Sequence, residues 1–360
     1  MKALIAAGGR ATRLRPITWT INKHLIPLAN KPMLWHVITK ITEAGIKDIY
    51  INVNPGEVET MREALGDGEV WGAHLTFVEQ QVGARGVAHV VANAEPHLRG
   101  DKFLFFLGDN IILGSLRPFV ERFLREDLDC LLAFSRVKDP QRFGVPEFRE
   151  DGTLKRVIEK PTQPPSDFAV TGIYFYNEKF FEAYQNIQPS ARGEYEITDV
   201  NTWFIEHGRV GYEEITGWWK DTGTPEALLE GQALIKDDLP KTHFVMESAV
   251  PIEAQIQGPV KIGADTVISP DCLIRGPVVI GNHCVIESSY IGPYTSIGDG
   301  TRVVRSEVEH SIVFSHVLID TRRRIIDSII GKNAQVVDVA GTHPRSGHRM
   351  VIGENSKVEL

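Results

Sequence analysis

Residues 6–18 read AAGGRATRLRPIT and close the first apolar run, MKALIAA, with two glycines and three arginines; Lys23 follows shortly after. Gly8 and Gly9 let the backbone approach a ligand and present amide donors to anionic oxygens. Arg13 and Arg15 add forked donors matched to phosphate, and Lys23 adds a compact charge. This set suits a phosphate, although a solvated basic turn has the same composition. A P-loop is excluded because GxxxxGK followed by Ser or Thr is absent, and the GxGxxG of a dinucleotide site is absent too.

A loop of this kind works only if something rigid holds it. From residue 1 to about 235, short apolar runs alternate with helical patterns: ALIAA, KPMLWHVITKITEAG, IYINV, a polar helix around Glu57 to Ala64, LTFVE, GVAHVVANAEPHL and FLFFLG. Runs without polar alternation suit strands covered on both faces, so the order predicts a doubly wound, mostly parallel α/β sheet. Ligands in such sheets bind beyond the carboxyl ends of strands. That singles out the loop after ALIAA and the GDN that follows FLFFL, where Asp109 is either a turn residue or a functional carboxylate.

The chain changes character at IKDDLPKTHFVMESAVP, which reads as a linker over 236–249. Beyond it, apolar β-branched residues recur every six positions at Val250, Ile256, Ile262, Ile268, Ile274, Ile280 and Ile286. After a slip of one residue the register resumes at Ile291, Ile297 and Val303, with traces at Ile330, Val336, Ile352 and Val358. A hexapeptide period predicts a parallel β-helix over 250–360, with about five coils over 250–340 if three hexads make one coil. DTRRRIIDS interrupts the period and is expected to bulge outward as a loop.

The 360 residues favour two domains, with boundaries expected at 1–235 and 250–360. A net charge of −8, from 39 Lys and Arg against 47 Asp and Glu, argues against nucleic acid or an anionic membrane as partner. There is no 18-residue apolar stretch and no signal-peptide pattern, so a cytoplasmic protein is expected. Cys130, Cys272 and Cys284 are too few and too scattered for a disulfide framework or a zinc site and are expected to be buried.

GGRATRLRPITWTINKHLIPLANKPM resembles the signature of the sugar-1-phosphate nucleotidylyltransferases, with Arg13 and Lys23 ten residues apart as in that family. One departure is Ala11, where the motif has glycine; if the position needs positive φ, alanine costs about 1 kcal/mol. FLGDN, RFGVPEF, IEKP, AVTGIYFY, SARGEYEITD and WWKDTGT follow in order, as in family members that act on glucose-1-phosphate with dTTP. The hexad repeat is similar to the left-handed β-helix of the family's long form.

The resemblance implies Mg²⁺-dependent in-line attack of a sugar-1-phosphate oxygen on the α-phosphorus of dTTP, giving dTDP-glucose and pyrophosphate. Asp109 and Asp221 would hold the metal, Arg13 and Lys23 the departing phosphates, and Lys160 the attacking phosphate. Gln81 and Gly86 would meet the base; the family's proline between them is missing, which leaves Gln80 as a rival. Gly144, Glu159, Val170, Gly172 and Tyr174 would meet the sugar, with Trp218 and Trp219 either walling the pocket or packing. A bland alternative stands beside some: Glu159 as a salt-bridge partner, Lys160 as a solvated lysine and Asp221 as a turn cap.

Three other readings remain open. One is a preference for UTP, which differs little from dTTP in a pocket. Another is an additional sugar-amine acetyltransferase in the β-helix, using His283, His310 or His316. The third is a non-catalytic nucleotide-sugar sensor. A homo-oligomer is expected, with the β-helix as the self-association surface or a lid over a second site.

Overall fold

A computed structural model describes the chain apart from residues 82, 84, 239–243, 339–355 and 358–360. The chain divides into two compact units: Met1–Arg10 with Leu34–Asp221, and Ala11–Met33 with Thr222–Leu360. The segment Ala11–Met33 thus groups with the β-helix, although it follows the first strand in sequence.

In the first unit a nine-stranded sheet is built around Lys2–Ala6. Asp48–Val53 and Phe103–Leu107 flank it in parallel, and His74–Glu79 pairs in parallel with Asp48–Val53. Ala3, Leu4, Ile5 and Phe103–Phe106 are fully buried, as apolar runs covered on both faces require. The helices Met33–Glu43, Val58–Leu65 and Val87–Asn93 are the expected crossovers. The far half of the sheet is mixed: Phe168–Tyr176 runs antiparallel to both Phe103–Leu107 and Cys130–Arg136. Its register with Cys130–Arg136 shifts between Val170 and Tyr174, and Val170 pairs with Phe134 on one side and Gly144 on the other. Phe103, Phe105, Phe134, Tyr174, Tyr176 and Phe204 form the aromatic centre of the core.

The second unit contains three parallel stacks of short strands, the faces of a left-handed β-helix. Ile262, Ile268, Ile274, Ile280, Ile286, Ile291, Ile297 and Val303 all point into its buried interior. Ile352 and Val358 lie outside the described residues. The corners need left-handed backbone: Asp265, His283, Gly300, His316 and Asn333 all have positive φ, as do Tyr294, His310 and Asp327. Asn, Asp and His adopt that conformation more readily than most side chains, which accounts for the aspartates, asparagine and histidines there. DTRRRIIDS does not bulge out as expected: Arg324–Ile326 is a strand, and Ile325 pairs opposite Val308. The coil from Ile262 to Ile280 takes 18 residues, the next to Ile297 takes 17 and the next to Val313 takes 16, so the interior register continues at shifted spacing. Cys130, Cys272 and Cys284 are buried free thiols. No helix among the described residues is long and apolar enough to cross a membrane.

Candidate active site

The loop after Lys2–Ala6 leaves the carboxyl edge of the sheet through Gly8 and Gly9, the latter at φ 106°. Asn54 latches it: Gly9 N donates to Asn54 Oδ1 at 2.8 Å, and Asn54 Nδ2 donates to Gly9 O at 3.3 Å. A Cβ on Gly8 would stand 3.1 Å from that Oδ1, so the close approach favours glycine. Nothing local in the sequence pointed to Asn54, which reaches the loop from the end of the neighbouring strand.

Asp109 follows Phe103–Leu107 at the same edge and leads into a two-stranded ribbon, Asn110–Ile112 against Trp219–Asp221. The ribbon is antiparallel, and Asp221 stands directly opposite Asn110. Two carboxylate residues more than a hundred positions apart in sequence are thereby brought to the same end of one ribbon. Asn110 is the junction. It is 3% exposed; its Nδ2 donates to Asp109 Oδ1 at 2.9 Å, and its Oδ1 accepts from Trp219 Nε1 at 2.7 Å and Gly172 N at 3.3 Å. A Cβ on Gly172 would come within 2.8 Å of Asn110 Nδ2, so that strand passes close against the junction.

The second cluster lies where Gly144–Phe148, Leu154–Glu159 and Phe168–Tyr176 meet. Gly144 pairs with both Glu159 and Val170. Glu159 Oε1 lies 3.1 Å from Lys160 Nζ and 3.5 Å from Arg192 Nη2, so the expected salt-bridge partner is present in duplicate. Lys160 has φ 44° and its N donates to Phe143 O at 2.9 Å, which fixes the turn beneath its side chain. Arg192 is held in turn by Glu196, with Nη2 at 2.9 Å from each carboxylate oxygen. Burial, then the charges of Glu196 and Glu159, push the Asp199 carboxyl above its usual range. Tyr174 is buried against Phe105, and burial reinforced by the Glu159 and Asp109 charges keeps its phenol neutral. Trp219 meets Phe143 edge-on at 5.2 Å, joining ribbon and cluster. Arg192 and Asn110 are the two members the sequence did not disclose.

At the opposite edge of the sheet, just after His74–Glu79, Gln80 is buried with Nε2 3.4 Å from His89 Nδ1, while Gln81 is exposed. Gly86 caps the helix Val87–Asn93 at φ 99°, and a Cβ there would lie 2.5 Å from Tyr195 O.

Arg13 and Lys23 belong to the second unit. Arg13 sits in the tight turn Thr12–Leu14, entered through Ala11 at φ 42° and ψ 46°. The position where the motif has glycine is thus left-handed, and alanine occupies it. Lys23 opens the turn Lys23–Leu25, capped by Asn22 Oδ1, which accepts from His24 N at 2.9 Å.

Among the described residues no group of three or more His, Cys, Asp and Glu side chains could hold a metal by itself. A pair of carboxylates is nonetheless a fitting donor set for Mg²⁺, which keeps its other positions for phosphate oxygens and water.

Residues 2–238 match the nucleotidyl transferase family. The chain is 40% identical over its whole length to a glucose-1-phosphate thymidylyltransferase of Streptomyces antibioticus, covering 99% of that protein. It is 36% identical, again over all of both chains, to the low-salt glycan biosynthesis nucleotidyltransferase Agl11 of Haloferax volcanii. A crystal structure from Bacillus anthracis, described as a glucose-1-phosphate thymidylyltransferase with sucrose, superposes with a TM-score of 0.62 at 38% identity; the match covers 66% of this chain and 96% of that one. With the ribbon carboxylates and the glycine loop at the sheet edge, and similarity that runs through the β-helix, the chain belongs to the nucleotidyl transferase family.

Proposed function

We propose that the protein transfers the thymidylyl group of dTTP to glucose-1-phosphate, releasing pyrophosphate and dTDP-glucose. The observation that carries this reading is the ribbon that sets Asp221 opposite Asn110 and so beside Asp109, at the strand ends where an α/β sheet binds ligands. Two polyanions must be brought together, so the chain's task is neutralisation and alignment. Asp109 and Asp221 hold Mg²⁺. Bound there, Mg²⁺ would supply Lewis-acid neutralisation of the phosphate charge.

The chain's own residues do the rest. Gly8 and Gly9 present backbone amides to the triphosphate, and Arg13 and Lys23 take the charge that accumulates on the departing pyrophosphate. Lys160, with Arg192 beside it, holds the sugar phosphate in line, while Glu159, Gly144 and the Val170–Gly172 backbone accept and donate to sugar hydroxyls. Glu159 keeps both cations aimed before substrate arrives. No general base is needed, because the attacking phosphate is already ionised. Gln81 and the Gly86 backbone read the base.

Pyrophosphate release from glucose-1-phosphate with dTTP, UTP, GTP, CTP and ATP in turn tests the reading. The highest kcat/KM is expected with dTTP and dTDP-glucose as product. A higher kcat/KM with UTP would reassign the base, and no release with any of the five would overturn the reaction itself.

A further inference from the structure

Lys23 stands at the base of a hairpin whose tip is fastened to the β-helix. Ile26 N donates to Lys23 O at 3.1 Å, and Met33 N to Ile26 O at 3.0 Å, which closes the hairpin Pro27–Leu28 against Lys31–Pro32. Its two tip residues, Ala29 and Asn30, have φ 50° and 62°, the doubly left-handed turn of a tight hairpin. Alanine is a poor choice for such a turn, so the geometry is imposed from outside.

The outside partner is Gln232, on the helix Pro225–Asp237 and 0% exposed. Its Oε1 accepts from Ala29 N at 3.2 Å and from Ser296 Oγ; its Nε2 donates to Tyr294 O at 2.8 Å and Ser311 O at 3.2 Å. One buried amide thus engages the hairpin tip and two successive coils of the β-helix. Asn30 Nδ2 adds a second fastening, donating to Ile297 O at 2.7 Å. A buried, fully engaged amide is directional: displaced, it leaves several partners unsatisfied. Ile26, Leu28 and Met33 of the hairpin are themselves fully buried.

We infer that Gln232 and Asn30 are positioning residues through which the β-helix sets the place of Lys23, so that triphosphate affinity depends on the C-terminal coils. The inference rests on the proposed role of Lys23 and deepens it. It gives the β-helix a part in the reaction itself, apart from any self-association.

Steady-state kinetics on the full chain test it, with Gln232→Met, Asn30→Gly and Lys23→Ala, alone and combined. Asn30→Gly keeps the left-handed turn and removes only the fastening, so it remains informative should Gln232→Met fold poorly. Each positioning variant is expected to raise KM for dTTP about tenfold, with KM for glucose-1-phosphate within about twofold of wild type. In the Lys23→Ala background neither should add a further increase, because they act through that lysine. The inference is overturned if Lys23→Ala raises KM for dTTP while the positioning variants do not, or if their effect persists undiminished without Lys23. If Lys23→Ala itself leaves KM for dTTP unchanged, the triphosphate role of Lys23 fails, and the inference with it.

Discussion

Asn110→Ala is the most informative single perturbation of the ribbon. The side chain is 3% exposed and makes three hydrogen bonds, to Asp109, Trp219 and Gly172. Truncation leaves the Trp219 Nε1–H and the Gly172 N–H without their acceptor. At about 1–3 kcal/mol for each buried orphan, and with water able to reach the half-buried indole, the loss is about 3 kcal/mol of stability. The functional effect is separate. Asp109 loses the donor that orients one of its oxygens, and outer partners of metal ligands are typically worth about 10- to 100-fold in metal affinity or activity. Pyrophosphate release measured against Mg²⁺ concentration should therefore show a half-saturation raised by that factor, in protein shown folded by circular dichroism. An Asn110→Ala enzyme with unchanged Mg²⁺ half-saturation and kcat/KM within about twofold of wild type would refute the reasoning that this amide organises the carboxylate pair.

Two further outcomes follow from backbone and burial. Ala11→Gly removes a left-handed alanine worth about 1–2 kcal/mol of strain but loosens the unfolded chain by about 0.4–1 kcal/mol, so a net gain near 0.5 kcal/mol is expected in urea unfolding; a loss of that size would contradict the strain. Lys236 is 1% exposed, with no hydrogen-bond partner for Nζ among the described residues, and burial holds its amine well below the usual 10.5. Between that lowered folded value and 10.5 the unfolded chain holds more proton at this amine than the folded chain, so stability rises with pH across that window. Lys236→Met should thus stabilise by about 1–3 kcal/mol at neutral pH, with the gain shrinking as pH approaches 10.5; a gain that grows with pH in urea titrations would reverse the sign.

Much of this was legible in the sequence because it is local or periodic. Gly8, Gly9 and Asp109 lie at the ends of apolar runs, and a run buried on both faces fixes where its carboxyl end must be. Ile262 to Ile286 announce the coils because each coil must fill the same interior. What escaped depends on contacts between distant segments. Trp219 reaches Asn110 across 109 residues and Arg192 reaches Glu159 across 33, and no periodicity encodes either. Ala11–Met33 follows a strand of the first unit yet groups with the second, through polar contacts such as Gln232 to Ala29 that hydrophobic patterning cannot display. Arg324–Ile326 was hidden by the run Arg322, Arg323 and Arg324 that leads into it: the outward face of a coil is free to be charged, and only Ile325 kept the interior pattern.

The central claim is that Asp109 and Asp221 act as one metal site assembled by the ribbon. A double-mutant cycle of Asp109→Asn and Asp221→Asn, read as kcat/KM for pyrophosphate release from dTTP and glucose-1-phosphate at saturating Mg²⁺, tests it most directly. Either substitution alone is expected to cost about as much as both together, because half of the pair no longer holds the ion productively. Losses that simply add, with residual Mg²⁺ dependence in each single variant, would show two independent carboxylates and contradict the account.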